Sequence, residues 1–466
     1  MPRVALIPTA RPTFATDQAQ VRADAARELL AGLGAEVAGP RELVMTPEDV
    51  AAAAPHLSGA DVVINVCASF SDATPARRLY ADLDRPLLLW AFREPGETGD
   101  RLWLNSLCGA NLFAHAVVRD GGTVRLLHGD PDEPGVRDVL ARALAGELPE
   151  PAVLESVPGE RAEPEAVQAG LERLRGRRVG LVGDAPPGFT PSEYDAALLR
   201  ELFGITVEHL PVDSAIEAAR QVGPAVRKAE RAAAVAAQPS LARVDREQAE
   251  TAAAVTSTLR TWTEDNRLAA VAVRCWPEFP NRLGACPCSA LSRLADEGTP
   301  TACERDVYGA VTMLLLESLG AGTTYLVDTV DVDGDRNVLR LWHCGAAATA
   351  LAADPANATQ SVHCNRRLGV AGDFPLRTGP VVGARLTEDP GRPGALRLLI
   401  FAGESLPAEN RFQGNTAEVR VDRPAADLVQ SLVTGGFPHH TVLAWTDVRP
   451  ALRTAADLLG IPVTEW

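Results

Sequence analysis

The chain has 466 residues, with 45 Lys and Arg residues against 61 Asp and Glu residues, and its formal net charge is −16. All but one of the basic residues are arginines, because lysine occurs only at Lys228, in a polar, alanine-rich segment typical of a solvated helix. This composition argues against Schiff-base aldolases, pyridoxal enzymes, Gly-Lys-Ser/Thr nucleotide-binding loops and kinases, all of which place a lysine at the reacting centre. The acidic balance also argues against a nucleic-acid partner.

The first 150 residues alternate between strand and helix patterns. Strands are predicted at 4–8, from 37, at 61–66 and at 86–90, and an amphipathic helix at 18–33. Strands that alternate with helices form parallel sheets with helices on both faces. No basic and apolar leader precedes the first strand, and no apolar run is long enough to cross a bilayer. We therefore expect a cytoplasmic protein without membrane contact.

The opening pattern of the chain recurs in its second third. Arg3-Val4-Ala5-Leu6-Ile7 returns as Arg178-Val179-Gly180-Leu181-Val182, and both are followed by a helical pattern and then a second strand. The Pro- and Glu-containing segment 146–165 is predicted to link the two units. We therefore predict an α/β protein with two doubly wound parallel-sheet domains of flavodoxin-like type, at 1–150 and 151–355.

The pattern changes after about residue 355. Short alternating runs at 381–386, 395–401 and 416–421 are separated by Gly and Pro, and a helix at 450–459 precedes a last strand at 461–463. Short strands of this kind are typical of small β-rich domains. Residues 356–466 are therefore predicted to form a barrel-like C-terminal domain.

Four polar clusters stand in apolar surroundings at predicted strand ends. The first is the segment 303–306, which contains Glu304. The second is at Asp328, the third is at His343, and the fourth is the pair His439-His440. Each has a structural interpretation on its own, such as a helix cap or a turn. Together, two carboxylates and one or two histidines suit a divalent ion such as Mn²⁺, Mg²⁺ or Co²⁺. Such an ion polarises a carbonyl and its neighbouring hydroxyl, while an acid moves a proton between adjacent carbons.

The eight cysteines give no comparable signal. Cys275, Cys286, Cys288 and Cys303 are the most closely spaced, but their intervals match no common zinc finger or ribbon. No role is assigned to Cys286 and Cys288.

Several motifs resemble the L-fucose isomerase family, within the wider L-fucose/L-arabinose isomerase group. They occur in the same order in this chain and touch all three predicted domains: Arg11-Pro12, 104–109 (Leu-Asn-Ser-Leu-Cys-Gly), Cys275-Trp276-Pro277, 298–306 (Gly-Thr-Pro-Thr-Ala-Cys-Glu-Arg-Asp), Leu326-Val327-Asp328, His343-Cys344-Gly345 and Pro438-His439-His440. The bulky Arg305 departs from the small residue expected beside Glu304.

The resemblance implies an enzyme that interconverts an aldose and its ketose through a cis-enediol, with a divalent ion, usually Mn²⁺. Matched by motif, the metal ligands are Glu304, Asp328 and His440, and the two acids are also the catalytic pair for proton transfer. The family further implies a homo-oligomer, a trimer or hexamer, with active sites between subunits.

The remaining candidate residues are sugar contacts. Arg11 is expected to reach the sugar in a neighbouring subunit. The others are predicted to contribute to substrate binding: Asn105, Trp276, Glu278, His343 and His439.

Two other functions stay open at this point. A metal-dependent C–C lyase or epimerase acting on a sugar, including a sulfosugar, uses the same enediolate chemistry. A non-catalytic sugar-binding protein needs no acids at strand ends. The sequence does not identify the sugar.

Overall fold

The computed structural model describes residues 1–151 and 159–466, and within them the chain forms three larger sheets and one two-stranded antiparallel sheet, at 360–362 and 369–372. Two of the larger sheets are parallel, and the third is a mixed sheet of eight strands. The predicted fold class is therefore confirmed. The predicted linker 146–165 lies partly outside the described residues.

The first sheet has five parallel strands in the order β2-β1-β3-β4-β5. Strands β3 and β4 are buried along their whole length, as expected for central strands covered on both faces. The elements of this unit are β1 (Arg3–Thr9), α1 (Thr16–Gly32), β2 (Glu36–Ala38), α2 (Pro47–Ala53), β3 (Val62–Cys67), α3 (Thr74–Leu79), β4 (Leu87–Ala91), α4 (Ser106–Arg119), β5 (Val124–His128) and α5 (Pro134–Leu144).

The second sheet has four parallel strands in the order β7-β6-β8-β9, so it repeats the strand order at the start of the first sheet. Its elements are α6 (Pro164–Glu172), β6 (Arg178–Val182), α7 (Ala196–Phe203), β7 (Thr206–Leu210), α8 (Val212–Gln221), α9 (Pro224–Ala237), α10 (Arg246–Asn266), β8 (Leu268–Val273), α11 (Glu278–Leu283), α12 (Cys288–Asp296), β9 (Thr301–Ala302) and α13 (Val307–Ser318).

The third sheet closes on itself. Its order is β14-β17-β11-β10-β18-β15-β16-β19, and β17 also pairs with β16, which completes an antiparallel ring of six strands. A closed ring leaves no unpaired edge. The remaining elements are β10 (Tyr325–Asp333), β11 (Val338–His343), β12 (Gln360–Val362), β13 (Gly369–Gly372), β14 (Phe374–Pro375), β15 (Gly379–Glu388), β16 (Leu396–Leu406), β17 (Asn415–Val421), α14 (Ala425–Thr434), β18 (His440–Ala444), α15 (Arg449–Leu459) and β19 (Val463–Glu465).

Strands β10 and β11 precede residue 355 but pair within the third sheet. The barrel therefore starts inside the range predicted for the central domain, and the domain limits themselves stay predictions. Within the described residues, none of the helices has the length and apolar composition that crossing a membrane would require. The cytoplasmic location likewise stays a prediction.

Candidate active site

Glu304 lies in a short turn between β9 and α13, at the carboxyl edge of the second sheet. Its backbone is left-handed, with φ 58° and ψ 24°, and the next residue, Arg305, has φ 63°. Such a conformation costs a non-glycine residue about 1–3 kcal/mol and is concentrated at functional sites. The turn therefore holds the Glu304 carboxylate in a position that a relaxed backbone would not give it.

Arg305 points away from Glu304 and anchors this turn. Its guanidinium donates hydrogen bonds of 2.7 Å to the carbonyl oxygens of Gly183 and Ser192. The bulky residue beside the predicted ligand therefore does not enter the site. It ties the turn to the chain that follows β6.

Asp328 and His440 are brought together by strand register. Asp328 lies within β10 rather than at a strand end, and it pairs directly with His440 at the start of β18. On the other side it pairs with Trp342, the residue before His343. Directly paired residues point to the same face of a sheet. Register therefore explains why His440 meets the Asp328 carboxylate.

Both predicted carboxylate ligands approach the predicted histidine ligand. Nε2 of His440 lies 3.3 Å from Oε2 of Glu304 and 3.4 Å from Oδ1 of Asp328. Neighbouring ligands of an octahedral ion with metal–oxygen distances of about 2.1 Å lie about 3 Å apart. The ligand atoms of Asp328, His343 and His440 also lie within 4.8 Å of one another, as do those of Glu304, His439 and His440.

The donor atoms at this point lack other partners. Among the described residues, Oδ1 of Asp328 and Nε2 of His343, His439 and His440 are buried without a hydrogen-bond partner. Buried polar atoms without a partner are costly, and an ion at their centre would satisfy them. The residues present therefore fit a hard or borderline divalent ion.

His440 is fixed from behind by Asp306. Oδ2 of Asp306 lies 2.8 Å from Nδ1 of His440. Both oxygens of Asp306 also accept hydrogen bonds from Arg385, and Oδ1 accepts from the amide of Gly309 at the start of α13. Asp306, Arg385 and His440 are almost wholly buried. The imidazole orientation is therefore set by a buried chain of three residues.

The environments of the two acids move their pKa values apart. Burial raises the pKa of Glu304, but the facing imidazoles of His439 and His440 outweigh it and hold the pKa well below its ordinary value. Burial raises the pKa of Asp328, and the positive charges of His343 and His440 oppose this only in part. For His440, burial lowers the pKa, but Asp306 and Glu304 outweigh it and raise the pKa to about 9.

An open cavity of about 720 Å³, including the solvent space at its mouth, leads to these groups. It is concave and lined by aromatic and polar side chains, as small-molecule sites are. All three sheets or their loops contribute to its lining, which is as follows: Arg11, Thr13, Phe14, Phe70, Asn105, Cys275, Trp276, Pro280, Cys286, Pro287, Cys288, Glu304, Asp328, Trp342, His343, Cys344, His363, Asn365 and Arg366.

Asn105 lines the cavity from the first unit of the fold. Its side-chain oxygen is buried without a partner, and its backbone has φ 50°. Glu94 holds this segment by accepting hydrogen bonds from the amides of Trp103, Leu104 and Asn105. Asn105 is therefore presented to the cavity by a buried carboxylate that sequence reasoning did not single out.

Trp276 forms one wall of the cavity. Its indole N–H donates a 2.9 Å hydrogen bond to Oε1 of Glu304, which leaves Oε2 directed at His440. The guanidinium carbon of Arg11 lies 4.2 Å from the centre of the indole ring. Arg11 thus lines the cavity of its own chain, whereas the family resemblance predicts it in the site of a neighbouring subunit. A trimeric or hexameric assembly stays a prediction.

Glu278 and His439 lie differently from the other predicted contacts. Glu278 does not line the cavity, because both of its oxygens accept hydrogen bonds from Arg274, at 2.9 Å and 2.6 Å. His439 lies behind the acids, with Nε2 3.5 Å from Oε2 of Glu304, and its ring packs edge-on against Phe189. Of the remaining predicted residues, Arg11, Asn105, Trp276, Glu304, Asp328 and His343 line the cavity, whereas His440 does not and is wholly buried.

The cysteines with no assigned role form part of the cavity wall. Cys286 and Cys288 both line it, and the ligand atoms of Cys288, Cys344 and His363 lie within 4.8 Å of one another. The two sulfur atoms of Cys288 and Cys344 are 3.7 Å apart. The cluster of Cys288, Cys344 and His363 brings together distant segments of the chain. The spacing of the cysteines in the sequence therefore could not predict this cluster.

Comparisons with known proteins give relatives over the whole chain. It is 34% identical to the sulfoquinovose isomerase of Alkalicoccus urumqiensis over 472 residues, covering 99% of both chains. It is 30% identical to that of Priestia megaterium over 461 residues and 29% identical to that of a Clostridium species over 463 residues, covering 98% of each chain. No family model matches the chain.

The protein is an aldose–ketose isomerase, so the predicted enzyme class is confirmed. The chain belongs to the sulfoquinovose isomerase family. Its membership of the L-fucose isomerase family stays a prediction, and the coarser part of that resemblance, a sugar isomerase, is supported.

Proposed function

We propose that the protein converts sulfoquinovose, a hexose with a sulfonate at C6, into the corresponding ketose in a reaction that depends on a divalent metal. The observation that carries this proposal is the convergence of Glu304, Asp328 and His440 at the end of a cavity lined by polar groups. The names of the full-length relatives support the choice of sugar.

Glu304, Asp328 and His440 would hold the ion, with Asp306 fixing the imidazole from behind. The donor set of carboxylate oxygens and an imidazole nitrogen suits Mn²⁺, Mg²⁺ or Co²⁺. When bound, the ion polarises the C1 carbonyl and the C2 hydroxyl and stabilises negative charge on their oxygens.

The two carboxylates move the proton. One takes the proton from C2 as the C1 carbonyl oxygen gains a proton, and this gives the cis-enediol. A proton is then delivered to C1 while the O2 hydroxyl loses its own, so the C2 carbonyl forms and no atom is gained or lost overall. Proton transfer by positioned side chains contributes about 10²–10⁴-fold to a rate.

Two groups prepare Glu304 for this role. The indole N–H of Trp276 occupies Oε1 of Glu304 and so orients the carboxylate. The aromatic rings of Phe70 and Phe189, which pack against His439, fill the space behind the acids and keep bulk water out. Exclusion of water strengthens each electrostatic interaction in the site.

The test is purified protein stripped with EDTA, with and without added Mn²⁺, incubated with sulfoquinovose in D₂O and followed by NMR and mass spectrometry. We expect a metal-dependent ketose product with deuterium at C1. Full turnover in the stripped protein would contradict the metal dependence. Two three-carbon fragments in place of a product of unchanged mass would favour the C–C lyase alternative.

A further inference from the structure

Two arginines in the cavity have guanidinium groups without a polar partner among the described residues. Arg11 and Arg366 both line it, and within the described chain neither guanidinium makes a hydrogen bond or an ion pair. Other arginines near the site are occupied: Arg274 pairs with Glu278, and Arg385 pairs with Asp306. A partly buried guanidinium without a partner is costly, which points to a partner supplied from outside the chain.

The two guanidinium groups lie against the same indole ring. The guanidinium carbon of Arg11 is 4.2 Å from the centre of the Trp276 ring, and that of Arg366 is 5.7 Å from it. Each arginine therefore stacks on an aromatic face that restrains it. Arg11 and Arg366 are close enough for the positive charge of Arg366 to lower the pKa of Arg11, after the larger effect of burial, while Asp72 opposes the shift.

Trp276 connects this pair to the reacting acids. Its indole N–H donates to Glu304 and its ring faces both guanidinium groups, so one side chain contacts the carboxylate and the arginine pair. The reacting carbons of a hexose, C1 and C2, lie at one end of the sugar and C6 lies at the other. A hexose with C1 and C2 at Glu304 and Asp328 can therefore extend along the ring towards the arginines.

The segment that carries Arg366 is held in place locally. Nδ1 of His363 accepts hydrogen bonds from the amides of Asn365 and Arg366, at 3.2 Å and 3.4 Å. Arg11 follows β1, and its amide donates to the hydroxyl of Ser69 at 3.1 Å. Both arginines are therefore presented on anchored backbone, one from the first unit of the fold and one from the loop between β12 and β13.

We propose that Arg11 and Arg366 form an anion subsite that binds the tetrahedral group at C6 of the substrate, a sulfonate. This inference rests on the proposed function for the identity of the sugar. Arginine presents several N–H donors in a fixed plane, which suits the oxygens of an anionic tetrahedral group. The subsite would select the sulfonated sugar, because hexoses without the anion leave both guanidinium groups unpaired.

The experiment compares Arg11→Gln and Arg366→Gln with the wild type on two sugars. One is sulfoquinovose, and the other is the analogue that lacks the sulfonate, so that C6 itself is a methyl group. The matched control is Arg367→Gln, which removes the same charge from the neighbouring residue, whose guanidinium contacts Gln413 instead. Each test variant should raise KM for sulfoquinovose about 10- to 100-fold. The kcat/KM for the methyl analogue should stay within about twofold of the wild type.

Equal losses on both sugars would overturn the inference, because the arginines would then serve the reacting carbons and not C6. Wild-type KM values in both variants would overturn it as well. Glucose 6-phosphate tests the alternative source of a tetrahedral anion. A kcat/KM equal to that for sulfoquinovose would overturn the assignment to sulfonate.

A second measurement separates this inference from the proposed function. Sulfate binding is measured by calorimetry in the wild type and the three variants. If the wild type fails to isomerise sulfoquinovose, the proposed function fails, but sulfate binding that is lost in Arg11→Gln and Arg366→Gln and kept in Arg367→Gln still supports an anion subsite. Sulfate binding that is unchanged in all variants contradicts it.

Discussion

Nδ1 of His440 lies 2.8 Å from Oδ2 of Asp306, while Nε2 of the same ring faces Glu304 and Asp328. Burial raises the pKa of Asp306, but the charge of Arg385 and the contact with His440 outweigh it and hold the pKa well below the ordinary range. An ionised Asp306 accepts a hydrogen bond from Nδ1–H, and this leaves the lone pair of Nε2 free for a metal.

Asp306→Asn should therefore weaken metal binding. The amide removes the charge that fixes the histidine tautomer, and losing a group that orients a metal-binding histidine costs about 10- to 100-fold in metal affinity. Mn²⁺ titration followed by electron paramagnetic resonance measures the change. The matched control is Asp331→Asn, since Asp331 is also buried and pairs with Arg340 at 2.8 Å outside the site. Equal Mn²⁺ affinity in the two variants would count against the role of Asp306.

Removing either carboxylate should stop proton transfer. Glu304→Gln and Asp328→Asn keep the shape of each side chain but cannot take up the C2 proton, so we expect a fall in kcat of about 10²–10⁴-fold. Loss of the C2 proton signal in D₂O, followed by NMR, measures this step directly. Glu278→Gln is the control, because Glu278 pairs with Arg274 outside the cavity. Proton exchange at the wild-type rate in either site variant would contradict the assignment.

The sequence predicted the groups of the site better than their arrangement. Strand patterns that alternate with helix patterns along the chain predicted the parallel sheets, because buried strands and amphipathic helices each leave a local pattern of apolar residues. Asp328 was predicted at a strand end and lies within β10 instead. Its meeting with His440 depends on strand register across more than a hundred residues, and no local pattern records it.

The residues that were missed act through distant contacts. Arg385 reaches Asp306 from β15, and Arg366 reaches Trp276 from a loop of the last third of the chain. Neither arginine stands out in a chain whose basic residues are almost all arginine. Only the fold distinguishes a guanidinium that has a partner from one that has none. Glu278 was predicted to bind substrate with Trp276, but it pairs with Arg274 and does not line the cavity. The sequence could not show this pairing in advance.

Glu317 should make stability depend on pH. It lies in the last turn of α13, and burial raises its pKa to about 7, although the hydroxyl of Thr324 donates to it at 3.2 Å and opposes the shift. A folded pKa above the unfolded value of 4.5 means that its contribution is fully present below pH 4.5 and lost as the pH rises through 7.

Glu317→Gln has no such loss, so it should become more stable than the wild type by about 3 kcal/mol above pH 7 and match it near pH 4.5. Thermal unfolding at a series of pH values measures the difference. A constant offset between the two proteins at every pH would show that Glu317 does not titrate in this range.

Metal binding should stabilise the fold through His440. A ligand at 100 times its Kd stabilises the folded state by about 2.7 kcal/mol, which corresponds to a rise in Tm of about 3–5 °C for a chain of this size. We expect Mn²⁺ to raise the Tm of the EDTA-treated wild type by this amount and to leave that of His440→Asn unchanged.

The matched control is His115→Asn, since His115 is buried and its Nδ1 lies 2.6 Å from the hydroxyl of Thr190, with no part in the site. This variant should be less stable than the wild type but keep the full response to Mn²⁺. A response that persists in His440→Asn would place the ion elsewhere, and the group of Cys288, Cys344 and His363 would be the next site to test.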